Sequence, residues 1–203
     1  MLKEAGILFC ITLIAGLLLG FVYELTKEPR RIQQEKAIQE ACIAVFPDAE
    51  EQGMELQFED TGYVPDETLA ADLAGNNVRI GTVFAAYNNG TLYGYVVESV
   101  STKGYGGDIV LYVGVGTDGT VNGVSITEIS ETAGLGMKAP SVLTPQFAGK
   151  KVESFVFTKS GAAAENEVDA ISSATITTRA VTNAVNGGLK VALGLLKGGA
   201  VNE

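Results

Sequence analysis

The chain contains no histidine and only two cysteines, and each scarcity removes a class of chemistry. Without histidine it lacks the commonest general base, the usual activator of a serine or cysteine nucleophile and the commonest metal ligand, so most familiar hydrolase mechanisms are excluded. Cys10 and Cys42 are too few for a thiolate iron–sulfur cluster or a Cys-only zinc site within the chain, so no metal site is expected and any redox cofactor must be held in another way. Cations are also in short supply: 14 Lys+Arg stand against 24 Asp+Glu, a formal net charge of −10 over 203 residues. That balance argues against nucleic acid as a partner, because a phosphate backbone needs a surplus of positive charge. No G-x-x-x-x-G-K-[ST] loop occurs. The G-x-G-x-x-G match from Gly114 to Gly119 runs on into Thr-Val-Asn-Gly-Val-Ser-Ile, a strand and not the helix that a dinucleotide fingerprint must open. What is present, 46% hydrophobic residues and 25 glycines, suffices for one globular domain of ordinary size.

From Ala5 to Tyr23 the sequence carries no charge, and a helix of that length covers about 28 Å of hydrocarbon, one bilayer crossing. An uncleaved anchor fits better than a secretory signal. Lys3 is the one base ahead of the span, Glu4 partly cancels it, and no A-x-A-like site follows Tyr23. Cys10 is not a lipoprotein cysteine, since Ile-Leu-Phe precedes it where small residues are needed. Lys27, Arg30, Arg31 and Lys36 follow the span, so a literal count of bases places the following domain in the cytoplasm. Glu24, Glu28 and Glu35 are interleaved with them, although acids count for little in the rule, and long translocated domains often escape it, so that count does not decide the topology.

The chain divides into a short tail (1–4), the transmembrane helix (5–23), a linker helix (24–47) and a domain (48–203). Pro29 suits the first turn of a helix reaching Phe46, with Ile38, Ala41, Cys42 and Val45 on one face and Pro47-Asp48 ending it. Cys42 on that face reads as a small buried hydrophobe. Residues 48–77 read as acidic and irregular, with Pro65 and Gly75-Asn76-Asn77 marking loops. Val78 to Tyr87 and Thr91 to Ser101 flank Asn88-Asn89-Gly90, while Ile109 to Gly116 and Thr120 to Thr127 flank Asp118-Gly119, which predicts two antiparallel hairpins. Val152 to Thr158 supplies another strand. A hydroxyl-rich loop follows, then a helix from Thr178 to Leu196, weakened at Gly187-Gly188. Strands in sequence with helices at the edges predict an α+β domain built on an antiparallel sheet with flanking helices.

Two segments carry candidate chemistry. In Gly104-Tyr105-Gly106-Gly107-Asp108 and Glu131-Thr132-Ala133-Gly134-Leu135-Gly136-Met137-Lys138 the glycines let backbone N–H groups come close to a flat or anionic ligand, although most such loops are plain turns. The second is Asp169 to Thr178, directly before the last helix. Ser172, Ser173, Thr175, Thr177 and Thr178 place five hydroxyls within seven residues at a helix N-terminus, where the dipole and unpaired amides favour a phosphate. Helix capping by Ser or Thr explains one or two of them but not five.

Asp-x-x-Ser-Ser-Ala-Thr, Asp169 to Thr175, resembles the flavinylation motif of the FMN-binding domain family, in which a dedicated transferase joins FMN through its phosphate to the hydroxyl of the final Thr. Together with the one-span anchor, Gly-Tyr-Gly-Gly and Glu-Thr-x-Gly-Leu-Gly, in that order, it resembles the G subunits of Rnf ferredoxin:NAD oxidoreductases. The C subunits of sodium-pumping NADH:quinone oxidoreductases are their near relatives. Ala133 stands where Pro is common in the family and Ser173 where Gly is common. The resemblance implies that Thr175 carries covalently bound FMN, with Asp169 read by the transferase. It further implies contacts from Ser172, Ser173, Ala174, Thr177, Thr178, Glu131, Thr132, Gly134, Leu135, Gly136, Lys138, Tyr105 and Gly106. On this reading no residue of the chain is catalytic by itself. The chain is a membrane-anchored electron-transfer subunit with its domain on the extracytoplasmic side, relaying electrons singly within an ion-translocating complex that contains further flavin and iron–sulfur subunits. The alternatives are the equivalent sodium-pump subunit and an extracytoplasmic binding module without flavin.

Overall fold

The computed structural model describes residues 2–199; Met1 and residues 200–203, and with them the side chain of Cys10, lie outside what is described. The chain forms two compact units that divide between Gln39 and Glu40. The first is helical throughout its described residues and belongs to α1 (Leu2–Ala44). Its most apolar 18-residue window has a mean hydropathy of 2.6 and none of it is buried in the chain, so by length and composition α1 is a candidate membrane span. No helix begins anew at Pro29: Leu2–Ala44 is one continuous helix, which stops short of the expected end at Pro47, and Pro47 instead opens the next helix. Pro29 forfeits a single backbone bond. Arg31 bridges Glu28 at 3.0 Å and Glu35 at 3.1 Å, on the turns flanking the proline, which supports the helix through it.

In the second unit, β1 (Leu56–Asp60), β2 (Val78–Asn88), β3 (Thr91–Ser101), β4 (Ile109–Gly116) and β5 (Val121–Glu128) form an antiparallel meander in sequence order. The two expected hairpins are its centre. Residues 48–77 are more ordered than their composition suggests. They hold α2 (Pro47–Glu51), the edge strand β1, and α3 (Glu67–Gly75), whose N-cap Asp66 accepts a hydrogen bond from the Leu69 amide at 2.8 Å. An edge strand tolerates Glu59 and Asp60 on its exposed positions, which is why acidity concealed it.

Both faces of the sheet are covered. Val113 points to α5 (Thr175–Gly199), and its neighbour Gly114, on the opposite face, meets the chain leaving α1: a Cβ at Gly114 would stand 2.6 Å from the Val45 carbonyl oxygen. Gly114 pairs with Gly123 across the ladder, so a flat strip receives the buried Val45 and Phe46. Phe46 meets Tyr93 edge to face at 5.3 Å. Coverage on both sides explains the continuous buried run from Leu111 to Gly116.

After β5 the chain passes through α4 (Ala139–Val142) to β6 (Val156–Thr158), shorter than the expected strand from Val152. β6 pairs in parallel with β7 (Glu167–Asp169), inside what the sequence suggested was loop. α5 begins three residues earlier than expected and does not weaken at Gly187-Gly188. Those glycines are where the helix lies against the sheet, a Cβ at Gly188 falling 2.9 Å from Val113 Cγ2 and one at Gly187 falling 2.7 Å from Val78 Cγ1.

Candidate functional site

The site is assembled at the start of α5. A turn closes from Ile171 to Ala174 (Ala174 N–H to Ile171 C=O, 3.0 Å), with Ser173 held at φ +62°, a left-handed conformation unusual for serine. The Ala174 carbonyl accepts the first bond of the helix, from the Thr178 amide at 3.0 Å, so the N-cap is alanine and no hydroxyl serves as the cap acceptor. The hydroxyls are instead divided. That of the fully buried Thr178 donates to Ala174 C=O at 2.9 Å and accepts from the Ile171 amide at 3.1 Å, fastening the turn onto the helix. Thr177 donates to Glu131 Oε2 at 2.8 Å. The hydroxyl of Thr175, half-buried at the first residue of α5, and those of Ser172 and Ser173 have no hydrogen-bond partner among the described residues. The first amides of α5 have no carbonyl four residues back, so they and the helix dipole present positive potential at this end.

A cleft of about 480 Å³ opens here, lined by Tyr105, Glu131, Thr132, Leu135, Gly136 and the run from Ser173 to Thr177. The structure thus brings both candidate segments to one place, though not every expected member. Gly106, Gly134, Lys138, Ser172 and Thr178 are not on the lining, whereas Ile176, 53% exposed beside two threonines, is. Its signal was an apolar residue where a capping sequence would be polar. Tyr105 and Leu135 are also apolar side chains left open to solvent at the cleft. Two of the glycines also have a packing task. A Cβ at Gly106 would collide with the Ser130 carbonyl, and one at Gly136 would lie 2.6 Å from Thr177 Oγ1, so these glycines let chain segments cross closely, and Gly136 lines the cleft as well. Asp169 sits at the end of β7 with its carboxylate accepting from the Ala162 amide at 2.7 Å. Its own amide donates to Gln146 Oε1 at 2.6 Å, a clamp between residues too far apart in sequence to foresee.

Residues 104–190 match the model of the FMN-binding domain family, a span that contains every residue lining the cleft. Beyond it, the chain is 32% identical over 176 residues to the G subunit of the ion-translocating oxidoreductase complex of Vibrio vulnificus, covering 83% of this chain and 78% of that one. The corresponding G subunit of Aliivibrio fischeri is 31% identical over 198 residues, covering 91% and 87%. The chain belongs to the family of G subunits of ion-translocating oxidoreductase complexes. Another relative, the G subunit of the Na(+)-translocating ferredoxin:NAD(+) oxidoreductase complex of Acetobacterium woodii, is 38% identical over 117 residues; the match takes in 57% of this chain and 56% of that relative's length. Among solved structures, NqrC of Shewanella oneidensis aligns with a TM-score of 0.49 at 23% identity, over 71% of this chain and 84% of that one.

The cleft fits the group that the family's description names. FMN offers an anionic phosphate, a polar ribityl chain and a flat ring system. Against these the cleft sets a helix N-terminus with an unpartnered hydroxyl and the exposed apolar surface of Tyr105, Leu135 and Ile176, in a volume within the ordinary range of cofactor sites.

Proposed function

We propose that this chain is the membrane-anchored electron-carrying subunit of an Rnf-type ion-translocating oxidoreductase, with FMN joined through its phosphate to Thr175 Oγ1. One observation carries the reading: within the hydroxyl cluster Thr177 and Thr178 are already bonded inside the chain, the hydroxyls of Ser173 and Thr175 face the cleft uncommitted, and of these two Thr175 stands on the first turn of α5, where the free amides and the dipole favour a phosphate. Bound FMN supplies the redox chemistry. The protein's own part is to hold and screen. The first amides of α5 and its dipole steady the phosphate, and Tyr105, Leu135 and Ile176 provide apolar surface for the ring system. A covalent tether suits a carrier working between fixed neighbours, because its cofactor cannot diffuse away.

The chain has no histidine for acid–base work and, among the described residues, one candidate span, too little for an ion path, so the complete reaction and ion movement belong to the assembly. A flavin transferase modifies Thr175 during maturation, and the domain lies on the extracytoplasmic side, as the resemblance implies. The bases after the span point the other way by simple count, but a long translocated domain often escapes that rule. Expression in cells containing the transferase, followed by denaturing electrophoresis under ultraviolet light, tests the reading. A fluorescent band that disappears in Thr175→Ala is expected, and a dark parent band overturns it. Gentle detergent extraction tests the assembly, which requires co-eluting multi-span subunits with iron–sulfur absorbance. Protease added to spheroplasts tests the orientation, since only an extracytoplasmic domain is cut.

A further inference from the structure

Glu131 lies where three segments of the site converge. Its Oε2 accepts from Thr177 Oγ1 at 2.8 Å, on the first turn of α5, and its Oε1 accepts from the Gly106 amide at 3.3 Å, on the loop after β3. The segment running from Glu131 itself returns against it at Gly136, where a Cβ would lie 2.7 Å from Glu131 Cβ, and a Cβ at Gly104 would lie 2.7 Å from Glu131 Oε1. Both carboxylate oxygens are therefore engaged by donors of the chain, one on the first turn of α5 and one on the loop after β3, and glycines stand where the side chain needs room. Glu131 lines the cleft, but its charge would repel a phosphate, so it is no part of the phosphate's seat.

We propose that Glu131 is a positioning residue, one that fixes the separation of the Tyr105 loop and the first turn of α5 and thereby the shape of the cleft. The inference rests on the cleft being the FMN site, but its core is a property of the protein alone. The Gly106 amide bond ties a loop of three glycines, one of them at φ +144°, to Glu131 and through it to the first turn of α5. Without it Tyr105, 70% exposed, would lose its fixed place over the cleft. Glutamine can replace both bonds, its carbonyl accepting from Gly106 and its amide donating to the Thr177 hydroxyl, which then reverses. Alanine can replace neither.

Hydrogen exchange on the full chain carrying Thr175→Ala, which cannot be flavinylated at that residue, isolates the protein's part. Adding Glu131→Ala should speed exchange of the amides from Tyr105 to Gly107 by about tenfold, the factor a hydrogen bond of ordinary strength represents. The interior of α5 around Val185 to Ala192 should be unchanged, showing that the domain is still folded. Glu131→Gln should stay close to the parent. In chains with Thr175 intact, the circular dichroism and fluorescence anisotropy of the flavin should change in Glu131→Ala and be restored in Glu131→Gln. Unchanged exchange in the alanine variant, or equal disturbance of the flavin signals by both substitutions, overturns the proposal and makes Glu131 a direct ligand or a bystander. If the parent chain carries no flavin, the function reading fails while the exchange result still decides the role of Glu131.

Discussion

Along α5, the stretch from Asn186 to Ala192 and the first turn from Thr175 to Thr178 meet the rest of the domain under opposite rules. In the middle, glycines bring the helix against Val113 and Val78, Leu189, Val191 and Ala192 are fully buried, and Asn186 pairs with both the amide and the carbonyl of Phe155, at 2.7 and 2.9 Å. At the first turn the N-cap is alanine, the residue before it is a left-handed serine, Ile176 is half exposed and Thr175 keeps an unpartnered hydroxyl. The sealed stretch satisfies its polar groups and fills its space. The first turn leaves stability unclaimed, which is the pattern expected where a backbone is shaped for a ligand.

Substitutions at the two ends should therefore separate function from stability. Thr175→Val has the largest expected effect on function and almost none on the fold. Protein-bound flavin, read as absorbance of the denatured and washed protein, should fall from full occupancy to background, while the unfolding free energy of the flavin-free chain moves by less than about 1 kcal/mol. Gly188→Val should do the reverse. Its side chain is driven into the stiff, branched Val113, and denaturant titration should show a loss of about 2–3 kcal/mol with flavinylation retained in the folded fraction. Ser173→Gly relieves the left-handed serine and should stabilise by about 0.5–1 kcal/mol, the relief exceeding the added freedom of the unfolded chain.

The smallest effect belongs to the β4–β5 turn, which packs by Gly119 near Leu193, late in α5. Thr120 donates its hydroxyl and its amide to the Asp118 carboxylate, at 2.6 and 3.0 Å, and these bonds hold the Asp118 carboxyl below the usual range. The folded chain thus favours the ion. Its contribution is present above the ordinary Asp value near pH ~4 and is lost as pH falls through the lower folded value. Asp118→Asn should flatten the acid limb of a pH–stability curve by less than about 0.5 kcal/mol, since the side chain is exposed.

The hairpins from Val78 to Ser101 and from Ile109 to Glu128 were legible because alternating β-branched residues and Asn-Gly or Asp-Gly turns act locally. Residues 56–60 were not, since an edge strand carries acids that a central strand would exclude. Glycine was the residue most easily misread. Gly187 and Gly188 look like helix breakers, yet both are set by Val78 and Val113, neighbours distant in sequence. For the same reason the hydroxyl cluster before α5 pointed to the cleft, while the division of labour within it, with Thr178 turned inward and Thr177 given to Glu131, depends on partners that spacing does not disclose.

The intact mass of the chain, purified from a host with the transferase, tests the covalent site most directly. The mass should exceed that of the sequence by one FMN less one water, the addition should map to the peptide containing Thr175, and it should vanish in Thr175→Ala. A parent chain of unmodified mass, or an addition that survives that substitution, would contradict it.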